Sequence, residues 1–259
     1  MKGGRMKDAL HAEWTKLRTQ PGTAWLLLAA VVLTTALSAA VASTATASAG
    51  ADPARLSLTG VELGQAVIAV LAVLVIGDEY GTGMIRSTLT AIPRRGTVLA
   101  AKAVVVAGVS AAAGAVAVLG SLLAGVLLLP GRGFTAAHGY HVLWPADGAV
   151  LRAVGGSVLY LMLIALLGLG VATAVRDSAT AVAIVLGLLY LFPVIAMMVD
   201  PHWQRHLEQI APMTAGLAVQ ATVGLNALPI GPWAGLGVLA AWAGGALLAG
   251  GLLLRLRDS

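Results

Sequence analysis

Apolar residues in this chain come in long continuous runs separated by short polar segments. Six runs, near residues 23–44, 61–77, 98–129, 149–175, 179–199 and 232–254, are long enough to cross a ~30 Å hydrocarbon core. None alternates strictly between apolar and polar positions, so they read as helices. Only helices or closed barrels satisfy their own backbone in lipid. The third run exceeds what a span needs and should tilt or project beyond the bilayer. The pattern predicts an all-α, polytopic membrane protein with six transmembrane helices. Residues 1–22 form a lead-in, 23–254 the membrane domain and 255–259 a tail.

Composition agrees. The chain is 59% hydrophobic and 10% charged, whereas a soluble domain is about 25% charged. Net charge is +5, which on a soluble protein would point to nucleic acid. Here the bases flank the apolar runs, so they report topology instead, and the expected surroundings are a lipid bilayer with no nucleic acid. Of sixteen Lys and Arg, twelve fall on the side that holds both termini, and only Arg55, Arg132, Arg152 and Arg205 on the other. The positive-inside rule puts both termini in the cytoplasm. The Ala, Val, Gly and Arg bias is that of a high-GC bacterial genome, which places the chain in a bacterial cytoplasmic membrane. There are no cysteines, so disulfides and Cys-ligated metals are excluded.

The lead-in contains MKDALHAEWTKLR, residues 6–18. Met6, Leu10, Trp14 and Leu17 fall at helical spacing, with Lys7, Asp8, His11, Lys16 and Arg18 on other faces. This predicts an N-terminal interfacial amphipathic helix, with Trp14 at headgroup level and Lys16, Leu17 and Arg18 leading to the first span. A simple positive anchor is the alternative. Gln20-Pro21-Gly22 ends the helix. Ala45-Thr46-Ala47 resembles a signal-peptide cleavage site, but the apolar run exceeds the usual ~7–15 residue core, so it reads as a retained span.

The span centres are almost free of ionisable residues. Glu62, Arg152 and Asp200 sit near predicted outer ends, and Asp78, Glu79, Arg176 and Asp177 near inner ends. That argues against an ion-coupled secondary transporter, whose coupling site lies at mid-depth. Gly237, Ala241, Gly245 and Ala249 form a small-residue ladder in the last run. Packing within the bundle is the favoured use of such a ladder, and a subunit interface the alternative. Pro193 should kink the fifth span. Residues 200–231 are too long for a turn and too interrupted for a span. Within them 214–225, bounded by Pro212 and Pro229, reads as a re-entrant or interfacial outer helix before span six. His138 and His141 lack the partners that complete a metal site, and read as surface residues.

Between the second and third runs lies IGDEYGTGMIRSTLTAIPRRG, residues 76–96. It is the one long segment in the hydrophobic part of the chain with both acids and bases. Met84, Ile85, Thr88, Leu89 and Ile92 share one side of a short helix that Gly81 and Gly83 loosen at its start and Pro93 ends. Arg86, Arg94 and Arg95 surround it. Such a helix either lies on lipid or inserts its apolar face into a groove of a cytoplasmic protein.

The string DEYGTGMIRSTLTAIPRRGTVLAAK, residues 78–102, resembles the segment after span two in type-2 ABC transporter permeases. HAEWTKLRT, at 11–19, resembles their amphipathic N-terminal helix. APMTAG, at 211–216, and LPIGPWAGLGVLAAW, at 228–242, resemble their closing region. The resemblance implies the membrane subunit of an ATP-driven exporter of a hydrophobic or amphipathic substrate, working as a homodimer or with a second permease. It implies a cytoplasmic coupling helix at 81–93 that docks on a separate ABC ATPase. The residues implied in that coupling are Asp78, Glu79, Tyr80, Gly81, Thr82, Gly83, Ile85, Arg86, Leu89, Pro93, Arg94 and Arg95, with Glu79 pairing to a base such as Arg86. No G-x-x-x-x-G-K-[ST] loop occurs, so ATP and Mg belong to the partner, and this chain binds no cofactor and carries no catalytic site. A secondary transporter, or a non-transporting immunity or assembly factor, is the competing reading.

Overall fold

A computed structural model describes residues 2–48, 50–84, 95–140, 143 and 147–256, with side chains from residue 6 onward. The described residues are helical, with short 3-10 turns and no strand. Helix α1 (Lys2–Thr19) precedes six helices long and apolar enough to cross a membrane. These are α2 (Pro21–Thr44), α4 (Val61–Gly81), α5 (Arg95–Leu128), α6 (Gly148–Val175), α7 (Ser178–Ala196) and α10 (Pro232–Leu256). Short helices α3 (Pro53–Ser57), α8 (Pro201–Ile210) and α9 (Pro212–Leu217) lie between them.

Helix breaks fall where backbone chemistry requires them. Gln20 is extended and Pro21 opens α2, since proline suits a first turn that needs no N–H partner. Asp52, Asp147 and Asp177 cap α3, α6 and α7 by accepting from backbone N–H groups one to three residues into the helix. α4 runs four residues past the predicted span and stops where Gly83 takes φ +72, a left-handed conformation that favours glycine. α7 continues through Pro193 to Ala196.

More than half of the most apolar stretch of α4 and of α6 is buried, against about a fifth in α2, α7 and α10. α4 and α6 are therefore the centre of the bundle. α6 packs on α10, α4 and α5, and α2 packs on α5 and α4.

The ladder in the last helix turns out to face outward. Gly237, Ala241, Gly245 and Ala249 are exposed, while Gly235, Leu239, Ala243 and Gly250 face inward. The close crossing is made by Gly170 and Gly250. A Cβ on Gly170 would stand 2.6 Å from the Ala246 backbone, and one on Gly250 2.7 Å from the Gly170 carbonyl. Gly170→Ala is expected to cost about 1–3 kcal/mol by forcing α6 and α10 apart. Gly108→Ala, with open space around it, should leave the thermal midpoint in detergent unchanged.

Before the last span the chain folds back into the bundle. Residues 211–221 are buried apart from Thr214, between α6 and α10. The helical part begins earlier than the sequence pattern indicates, because Pro212 opens α9, and it ends in a 3-10 turn at Ala218–Gln220. Carbonyls freed at its two ends are taken up by side chains. The Trp242 indole N–H donates to the Ile210 carbonyl at 2.8 Å, and Arg152 donates to that of Ala221 at 2.7 Å. Irregular backbone inside an apolar bundle requires such cover.

Candidate functional site

The C-terminal ends of α1, α4 and α10 and the N-terminal end of α5 gather at one end of the bundle. There the last turn of α4 hands the chain to residues 82–94 and α5 receives it back. Four ionisable side chains form a closed ring of alternating charge. The Lys102 ammonium donates to Glu13 Oε2 at 2.6 Å and to Glu79 Oε1 at 2.8 Å. Lys16 donates to Glu79 Oε1 at 2.7 Å and to Glu13 Oε1 at 3.3 Å. Glu13, Glu79 and Lys102 are 3%, 3% and 1% exposed, so this is a neutral ionic cluster almost wholly out of water. Buried charges persist only when paired and hydrogen-bonded. Glu79 Oε2 is buried with no hydrogen-bond partner among the described residues.

Helix positions explain the ring. In α1, Ala9, Glu13 and Leu17 are spaced by four and form the stripe that packs inward. Lys16 borders that stripe and is part-buried. Burial by itself would lower the Lys16 pKa. The hydrogen bond with Glu79 and the fields of Glu13 and Glu79 outweigh this and raise it. A raised lysine pKa keeps this part of the ring intact below the ordinary lysine range; it is lost only as pH rises through the raised value. In α5, Lys102 shares the buried face with Leu99 and Val106. In α4, Glu79 lies three residues after buried Ile76.

The residues singled out from the sequence divide clearly. Asp78 is exposed, and its carbonyl accepts from the Thr82 hydroxyl at 2.7 Å. The Arg176 guanidinium stands 5.6 Å from the Tyr80 ring centroid, joining the α6–α7 turn to α4. Gly81, Thr82 and Gly83 are exposed at the end of α4. Arg95 donates to the Leu254 carbonyl at 2.7 Å, satisfying the C-terminal end of α10. Ile85, Arg86, Leu89, Pro93 and Arg94 lie outside the described residues, and with them the part of the predicted 81–93 helix that follows Met84. The described partners of Glu79 are Lys16 and Lys102. In α1, Leu17 packs inward and Arg18 is exposed. Trp14 is 50% exposed and lies off the packed stripe of α1.

Glu13 is the functional candidate that the sequence reading passed over, and Lys102 was read only as a topology charge. The signal existed in both cases: an acid midway between apolar Ala9 and Leu17 at helical spacing, and a lysine at the fifth position of the apolar run that begins at residue 98.

Residues 9–199, roughly three-quarters of the chain, match the family model described as ABC-2 family transporter protein. The chain belongs to the ABC-2 transporter permease family. The match takes in the whole ionic ring, the segment after span two and the first five spans; it ends before the 211–216 and 228–242 segments. No curated protein matches the permease. Family membership and the six apolar helices make it a multi-pass membrane subunit of a transport system, a class that is generally non-catalytic and works with an ABC ATPase. Among the described residues no group of three or more His, Cys, Asp or Glu is close enough to hold a metal ion.

Proposed function

We propose that this permease is the half-size membrane subunit of an ATP-driven exporter, and that residues 81–93 form the helix that docks on a separate ATPase chain. In this reading the end carrying the ionic ring faces the cytoplasm of a bacterial cell. Two permease subunits, identical or not, enclose a path for a hydrophobic or amphipathic substrate. ATP and Mg are handled entirely by the partner.

The observation that carries the reading is how the two roots of this segment are held. At its start, Glu79 is bound into the ring with α1 and α5. At its end, Arg95 is bound to the last turn of α10. A push on 81–93 is therefore delivered to four helices at once rather than absorbed by a loose loop. Packed elements of this kind pass on displacement by shifting between discrete arrangements.

The test is purification of the tagged permease in mild detergent from its own cells. An ATPase should co-purify at about one copy per permease, and be lost when 81–93 is replaced by a flexible Gly/Ser stretch of equal length. Recovery of permease alone from membranes that contain the ATPase would count against the proposal.

A further inference from the structure

At the end of the bundle opposite the ionic ring lies a cavity of about 730 Å³. Its walls come from α3, the start of α4, the end of α7, and the α8–α9 segment that folds back into the bundle. That volume falls within the ~300–1,000 Å³ range of small-molecule sites. Leu56, Pro193, Met197, Met213 and Leu217 supply apolar wall. Methionine walls adapt to ligands of different outline.

The charged lining is unbalanced. Asp52, Glu62 and Glu208 line the cavity against a single base, Arg55. Asp52 is fully engaged, accepting from the backbone N–H groups of Ala54, Arg55, Thr222 and Val223 and from the Thr222 hydroxyl. Its role is to hold α3 to residues 222–223. Glu208 takes one hydrogen bond, from the Gln204 amide at 2.9 Å. The charge of Arg55 acts on Glu62 from a distance, but the Glu62 carboxylate makes no hydrogen bond and no ion pair within 4 Å among the described residues, while its backbone carbonyl accepts from Tyr190 and Gln65. A part-buried carboxylate beside apolar walls is stabilised by a cation brought against it.

We propose that this cavity binds amphipathic cations, with the positive group against Glu62 and Glu208 and the apolar body against Met197, Met213 and Leu217. This narrows the substrate class and rests on the transport reading above. Binding itself needs no ATPase, so the two can fail separately.

The probes are tetraphenylphosphonium and tetraphenylborate, which match in size and shape and differ in sign. Equilibrium dialysis against the purified full-length permease in neutral detergent should show saturable binding of the cation and at least about tenfold weaker binding of the anion. Glu62→Gln should weaken cation binding about tenfold, Glu208→Gln severalfold, and Glu62→Asp should retain most of it. Each variant is accepted only if its thermal midpoint stays at the wild-type value. Glu208 lies on a separate helix and keeps the test alive if a Glu62 variant misfolds. Equal binding of the two probes, no saturable binding, or wild-type affinity in both Gln variants would overturn the site. Selective cation binding that fails to alter hydrolysis by a co-purified ATPase would uphold the site and count against the transport reading.

Discussion

Replacing Lys102 with methionine is expected to destabilise the permease by about 3–5 kcal/mol, the largest loss anticipated for any single substitution outside the close-packed core. The side chain is 1% exposed and donates to two carboxylates that are themselves buried. Methionine fills a similar volume, so packing is nearly conserved and the effect reports charge. What remains is two buried acids and one part-exposed base, Lys16. The uncompensated charge, rather than the lost attraction, dominates the cost. Adding Glu79→Gln to Lys102→Met restores neutrality and should recover a large part of the loss. A double-mutant cycle on detergent-solubilised protein, read by thermal unfolding, isolates that coupling. Lys16→Met should cost far less, because that side chain is about one-third exposed and its charge is partly screened by solvent. Equal losses for Lys16→Met and Lys102→Met would contradict a ring centred on Lys102.

The second large effect is expected at Asp52, at the opposite end. Asp52→Ala removes the cap of α3 and three further bonds that reach 170 residues along the chain to Thr222 and Val223. Loss of a cap costs about 0.5–2 kcal/mol, and hydrogen bonds to a charged group about 1.5–3 kcal/mol. A combined loss of about 2–5 kcal/mol is expected. Hydrogen exchange localises it: the amides of Ala54, Arg55, Thr222 and Val223 should lose protection together, while those of α4 and α6 keep theirs. Loss of protection at Ala54 and Arg55 alone would show that the link to 222–223 holds without this carboxylate.

The spans were legible because lipid imposes a strong rule on sequence. A run of about twenty apolar residues has almost no other use, and the helix limits depart from the apolar runs by at most four residues. Helix rotation was much less legible. Gly237, Ala241, Gly245 and Ala249 look like a packing seam by spacing alone, yet α10 presents Gly235, Ala243 and Gly250 to its neighbours. In a helix apolar on every face, the pattern does not state which stripe is inward. The same limit hid the ring. In α1 the large apolar Trp14 drew attention to the lipid interface, whereas the stripe that packs on the bundle carries Glu13, whose charge is satisfied by a residue 89 positions away. Polar contacts between uncharged groups were invisible for a related reason. Tyr160 donates to Gln65 across the centre of the bundle, and neither side chain stands out in an apolar run. Glu79 was legible as a significant acid, but its partners were not, since pairing across helices depends on a rotation that only the fold supplies.

The most direct test of the account is site-specific photo-crosslinking in intact membranes. A photoreactive side chain is placed at Leu89, within the proposed docking helix, and in a second protein at Thr135, at the opposite end of the bundle. The account predicts that Leu89 traps an ATP-hydrolysing polypeptide and that Thr135 does not. Trapping should fall when Lys102→Met disrupts the ring that roots the segment. Capture of no ATPase from Leu89, or equal capture from both positions, would contradict the assignment of 81–93 as the site through which this permease is driven.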